Sequence, residues 1–234
     1  MSKTYGSGHS QVTAILCDMD NTLFDLVGAK REACRCVVEY LGAGDPEELF
    51  ERFLSGVYGF EHHDNIRDFL EALGVYHPHI FERCCSIYES VKLELVEPYP
   101  GVEETLRRMQ KAEKGLAVVT DAVSFQAERR LRKTGLIDFF EIVVTPEISG
   151  KRKPEPESLF VALRHLDAIP ERSLMVGDSI VRDIAPGRKI GMRTAFAAYG
   201  DWRSGSPADT EADIVLQHFA ELLLHIDLEG RSSR

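Results

Sequence analysis

Short, unbroken runs of apolar and mostly β-branched residues recur along the chain, at Val12 to Cys17, Leu116 to Thr120, Ile142 to Thr145, Leu174 to Gly177, Thr194 to Ala197 and Ile214 to Leu216. None has the 3.6-residue period of a helix, and runs of this length without polar alternation fit strands buried on both faces. Between the later runs the spacing turns helical, over Val102 to Ala112, Phe125 to Thr134, Pro156 to Leu166 and Ile180 to Ile190. Strand and helix alternating in this way predict an α/β fold, a parallel sheet with helices on both faces.

One interval breaks the rhythm. About a hundred residues separate the first run from the second, whereas a crossover connection needs only a dozen or so. The interval reads as helices throughout: Ala29 to Leu41, Pro46 to Gly56, His62 to Leu73 and His77 to Leu95. Gly42 to Pro46 and Gly74 to Pro78 supply the stops and turns between them. The expected organisation is therefore a catalytic core of residues 1–25 and 97–234, with an all-helical domain of residues 26–96 inserted after the first strand. Pro98 and Pro100 stiffen the return linker, so the insert is expected to act as a lid on hinges.

Composition narrows the function classes. Forty-four per cent hydrophobic and 28% charged residues describe an ordinary globular chain that needs no staples. With 28 basic against 38 acidic side chains the net charge is −10, which argues against nucleic acid or an anionic membrane as partner. An anionic ligand would have to be held by a local site. The polar stretch Met1 to Gln11 has no signal-peptide run, and no segment approaches the roughly 18 apolar residues of a membrane span, so a cytosolic protein is expected. Five cysteines spaced as Cys34-x-Cys36 and Cys84-Cys85 match neither a zinc site nor a redox pair; buried thiols are expected, with a disulfide or surface metal site as the alternative. The tail Gly230 to Arg234 is expected to fray.

Polar residues gather where the predicted strands end. Asp18 and Asp20 follow the first strand two residues apart, in Asp18-Met19-Asp20-Asn21-Thr22. In open parallel sheets ligands bind outside the carboxyl ends of the strands, which is where this pair falls. The second strand ends in Thr120-Asp121, a hydroxyl and following amides able to donate to phosphate, although a lone Thr there is more often a turn or cap residue. After the third strand comes the basic cluster Lys151-Arg152-Lys153, in which Pro154 restricts the backbone of Lys153 and helps fix where its ammonium points. The fourth strand runs into Gly177-Asp178-Ser179-Ile180-Val181-Arg182-Asp183. Asp178 fits a Mg²⁺ ligand, since hard oxygen donors suit that ion, or a helix cap; capping does not explain Asp183, which fits a supporting role towards a metal-bound water or Lys153.

These four motifs, in this order and with this interval after the first, resemble the haloacid-dehalogenase superfamily of hydrolases, in the subfamily with a helical cap inserted after the first strand. The resemblance implies a Rossmann-like core and nearly end-to-end coverage. It also implies Asp18 as nucleophile, Asp20 as general acid and base, and Thr120, Asp121 and Lys153 around the phosphate. Magnesium would be held by Asp18, Asp178 and the backbone carbonyl of Asp20, with Thr22, Ser179 and Asp183 behind. Asp121 departs from the pattern, since many relatives carry an uncharged residue such as asparagine there; it is expected to point away from phosphate or to bind a cap residue. The function implied is a Mg²⁺-dependent phosphatase of a small phosphosugar, phospho-hydroxyacid or nucleotide. A phosphomutase, a 2-haloacid dehalogenase and a non-catalytic phosphate-binding protein are the alternatives. The second acid, Asp20, argues against the dehalogenase, which would have no use for it.

Overall fold

A computed structural model describes residues 11–202 and 211–228; the tail expected to fray lies outside them. Each apolar run forms a strand: β1 (Ala14–Cys17), β2 (Gly115–Val119), β3 (Ile142–Val144), β4 (Ser173–Gly177), β5 (Arg193–Ala197) and β6 (Ile214–Leu216). They build one parallel sheet in the order β3-β2-β1-β4-β5-β6, with β1 flanked by β2 and β4. Successive strand residues face opposite ways, and both sides of β1 are covered. Ala14 and Leu16 pack with Ala117, Val119, Val144 and Met175 against Leu159, Ala162 and Leu163, while Ile15 and Cys17, facing the other way, are as fully buried. Burial on both faces explains why the inner strands β2, β1, β4 and β5 show no alternation, while the edge strands β3 and β6 are partly exposed.

The chain divides into two compact units, one of Met1–Phe24 with Pro98–Arg234, the other of Asp25–Glu97. The second contains α1 (Leu26–Leu41), α2 (Pro46–Leu54), α3 (Asp64–Ala72) and α4 (Pro78–Leu95). Three of its four helices begin on side-chain caps: Asp25 accepts the Gly28 amide at 2.8 Å, Asp45 the Glu47 amide at 2.9 Å, and His77 the His79 amide at 3.3 Å. Gly42, at φ 65°, supplies the left-handed residue that ends α1. Inside the bundle Phe53 stacks on Tyr88 with ring centres 4.7 Å apart. Lys92 is buried beside Tyr88 and donates to Glu89 at 2.7 Å, and the same carboxylate lies 3.0 Å from His63 Nε2. Hydrogen bonds to Cys85 and Glu89 raise the His63 pKa to about 9. Burial works against the ionised Glu89, but His63 and Lys92 overcome it and hold its pKa at about 2.

The first unit adds α5 (Val102–Lys111), α6 (Ser124–Lys133), α7 (Pro146–Ser149), α8 (Glu157–His165) and α9 (Ala185–Lys189). Two departures from the expected pattern fall on the sheet's carboxyl edge. The short α7 occupies the loop after β3, started by Pro146 and closed by Gly150 at φ 74°. The helix expected over Ile180 to Ile190 is instead a π turn, Ile180–Ile184, running into α9. Its widened winding accompanies the turn of the Asp183 side chain back onto the Ser179 amide. No helix of the described residues is long and apolar enough to cross a membrane, and all five cysteines are free thiols, with Cys17, Cys34 and Cys84 buried and Cys36 and Cys85 half-buried.

Candidate active site

Sheet pairing runs straight into the motif residues. The Asp18 amide donates to Val176 O at 2.8 Å, and the Thr120 amide to Val144 O at 3.0 Å, so both are pinned at the carboxyl edge by the ladder itself. Beyond Asp18 the chain turns sharply. Leu23 donates to Met19 O at 2.8 Å, the Asn21 amide to Phe24 O at 2.8 Å, and Asn21 takes φ 62°, a left-handed conformation asparagine tolerates. Thr22 stands inside this turn and its hydroxyl donates to Asp18 Oδ2 at 3.4 Å. The turn is backed from β5 onward: Tyr199 donates to Thr22 O at 2.7 Å, and Gly200 lies so close that a Cβ there would stand 1.6 Å from Asn21 O. Only glycine permits that approach.

Lys153 is the centre of the site. Its ammonium is buried and donates to Asp18 Oδ1 at 2.6 Å, Asp183 Oδ1 at 2.6 Å and Val119 O at 3.1 Å, which uses all three of its protons. Burial favours the neutral amine, but Asp18 and Asp183 outweigh it and raise the Lys153 pKa. What fixes the backbone here is more than the proline: Asp121 Oδ1 accepts the Lys153 amide at 2.9 Å, and the Asp121 carbonyl accepts from Arg152 at 2.7 Å. Asp121 Oδ2 also lies 3.8 Å from Arg182, whose guanidinium is 3.7 Å from Asp178 Oδ1. The extra carboxylate therefore holds the lysine loop and faces a cation, Arg182.

The segment after β4 is folded around Asp183. Its Oδ2 accepts the Ser179 amide at 3.0 Å while Oδ1 takes Lys153, and the Ser179 hydroxyl accepts the Arg182 amide at 3.2 Å. Gly177 makes room for this, because a Cβ there would meet Asp183 Cγ at 2.4 Å. Asp18, Asp178 and Asp183 are all buried and each offers an oxygen within 4.8 Å of the others. An all-oxygen carboxylate set fits a hard divalent cation such as Mg²⁺. Both Asp183 oxygens are held closely, by Lys153 at 2.6 Å and the Ser179 amide at 3.0 Å, whereas Asp18 Oδ2 has the longer 3.4 Å contact from Thr22, so Asp18 and Asp178 are the carboxylates better suited to direct ligation.

The Asp20 side chain is not in that cluster. It meets Arg130 of α6, whose Nη1 donates to Asp20 Oδ2 at 2.9 Å and Oδ1 at 3.1 Å. Sequence reading missed Arg130, yet a signal was there. It shares the inward face of α6 with Ala127 and Leu131, where an apolar residue is the norm.

A family model described as haloacid dehalogenase-like hydrolase matches residues 15–197. The glyceraldehyde 3-phosphate phosphatase of Methanocaldococcus jannaschii is 28% identical over 91% of this chain and 96% of its own. The N-acetylmuramic acid 6-phosphate phosphatase of Pseudomonas putida is 29% identical over 93% of this chain and 97% of its own. Among solved structures, the HAD-hydrolase YfnB of Bacillus subtilis, bound to magnesium, superposes with a TM-score of 0.72 at 20% identity, covering 93% of this chain and 99% of that one. With four motifs converging on one sheet edge and a family model spanning most of its length, the chain belongs to the haloacid dehalogenase-like hydrolases.

Proposed function

We propose that the protein is a Mg²⁺-dependent phosphatase of small phosphomonoesters, working through an aspartyl phosphate formed on Asp18. The observation that carries this reading is the buried Lys153 ammonium, 2.6 Å from both Asp18 and Asp183. A carboxylate attacking a phosphate dianion faces like-charge repulsion, and a fixed cation at the attacking oxygen relieves it. Asp18, Asp178 and the Asp20 carbonyl would hold Mg²⁺, which supplies further charge neutralisation at the phosphate oxygens.

The chain's own groups then divide the work. Thr120 accepts the Ala122 amide through Oγ1 at 3.1 Å, so its hydroxyl proton is directed elsewhere and serves a phosphate oxygen. Asp18 attacks phosphorus, and Asp20 gives a proton to the departing alkoxide. Asp20 then takes a proton from the water that hydrolyses the aspartyl phosphate. Asp183 and Asp121 keep Lys153 aligned, while Thr22 orients Asp18.

The relatives support a small phosphate ester as substrate, since two that span more than nine-tenths of this chain are named as phosphatases of glyceraldehyde 3-phosphate and N-acetylmuramic acid 6-phosphate. Those names favour hydrolysis over phosphoryl transfer between sugars, and the acidic cluster favours a metal-dependent phosphatase over a dehalogenase. Five free thiols suit a reducing compartment, so we place the reaction in the cytosol. The test is phosphate release from p-nitrophenyl phosphate, glyceraldehyde 3-phosphate and a panel of sugar phosphates, phospho-hydroxyacids and nucleotides, with and without Mg²⁺. Release that needs Mg²⁺ and vanishes in Asp18→Asn is expected; release that survives in that variant overturns the mechanism.

A further inference from the structure

Arg130 is among the buried charges that the proposed mechanism leaves unused. The Arg130 side chain is 1% exposed and its partner Asp20 is 20% exposed, so this is an interior ion pair, not a surface one. Burying a guanidinium is costly unless it is paired, and here it is spent on the carboxylate that must exchange protons. The two partners are 110 residues apart in the chain and come from different elements, the turn after β1 and the inward face of α6.

We propose that Arg130 is a positioning residue that holds the Asp20 carboxylate at a fixed place and angle for proton transfer; this rests on the phosphatase reading above. Asp20 sits in a turn, where its side chain would otherwise sample several rotamers. A single guanidinium nitrogen reaching both oxygens, at 2.9 and 3.1 Å, removes that freedom. Arginine suits the task because it does not give up its proton, so Asp20 exchanges protons with the ester oxygen and water and never with its anchor.

The experiment compares two esters of similar shape. p-Nitrophenolate departs as a stable anion, while phenolate is a poorer leaving group that gains more from a proton at departure. kcat/KM is measured for p-nitrophenyl phosphate and phenyl phosphate with the wild-type protein, Arg130→Gln and Arg130→Lys; it covers the steps up to departure of the leaving group. Because acid catalysis contributes about 10²- to 10⁴-fold, Arg130→Gln is expected to lose at least about tenfold more on phenyl phosphate than on p-nitrophenyl phosphate. Arg130→Lys, which keeps the buried charge and hence the fold, is expected to fall between the two. A positioning role predicts this selective loss, whereas a merely structural role lowers both substrates by the same factor. If the ratio between substrates is unchanged in Arg130→Lys and in whatever Arg130→Gln can be purified folded, the proposal is overturned. A wild-type protein that hydrolyses neither ester overturns the phosphatase reading instead.

Discussion

The two units of this protein each bury a lysine beside carboxylates, with opposite stoichiometry. At the sheet edge two carboxylates, Asp18 and Asp183, share one ammonium, with a third, Asp178, in the same cluster. In the helical unit one carboxylate, Glu89, is shared by two basic groups, Lys92 and His63. The second leaves no negative charge over: Glu89 is met by Lys92 and, below about pH 9, by a second cation in His63, and the cluster ties the start of α3 to α4. The first leaves negative charge over, which is what a cation-dependent site requires and what a purely structural cluster avoids. The difference lies in the balance of charge, since the residue types are nearly the same.

The most severe break in the core arrangement is Asp18→Asn. Loss of about 10⁴-fold or more in kcat is expected, as for other covalent nucleophiles, with the folded state retained by circular dichroism. Lys153→Met separates the two regions next. It leaves two buried carboxylates facing each other and should cost about 3–5 kcal/mol of stability as well as activity, whereas Lys92→Met leaves Glu89 still paired with His63 and should cost about 1–2 kcal/mol. Denaturant titrations of both variants test the ordering, and equal losses would remove the contrast. A gentler intervention is Gly177→Ala, whose added methyl displaces Asp183 without removing a charged group. Activity should fall at least about tenfold through misaligned Lys153, with a smaller loss of thermal stability than Lys153→Met shows.

The smallest expected effect is confined to the helical unit and depends on pH. The His63 pKa is raised from 6.5 to about 9, so its contribution is complete below about pH 6.5 and disappears as pH rises through about 9. The Glu89 pKa is lowered from 4.5 to about 2, so its contribution is complete above about pH 4.5 and disappears as pH falls through about 2. The melting-temperature difference between wild type and His63→Gln should therefore be largest near pH 5–6 and shrink towards pH 9. A difference that grows with pH contradicts the pairing.

The strands, the inserted helices and the four motif positions were all legible in the amino-acid order, because each rests on local signals. Unbroken apolar runs mark doubly covered strands, and strand ends in a parallel sheet meet at one edge whatever the loops do. The π turn and the short α7 were not legible. The first depends on where Asp183 points, and a helix of four residues carries too short a period to read.

What the sequence determined by itself was therefore which residues stand at the sheet's carboxyl edge and what chemistry their types allow. Only the tertiary structure decided who holds whom. Asp121 fixes Lys153 from 32 residues away, Arg130 takes Asp20 from 110 away, and Gly200 makes room for the turn at Asn21. Such pairings depend on side-chain direction and close approach between distant segments, and neither leaves a periodic trace in the chain.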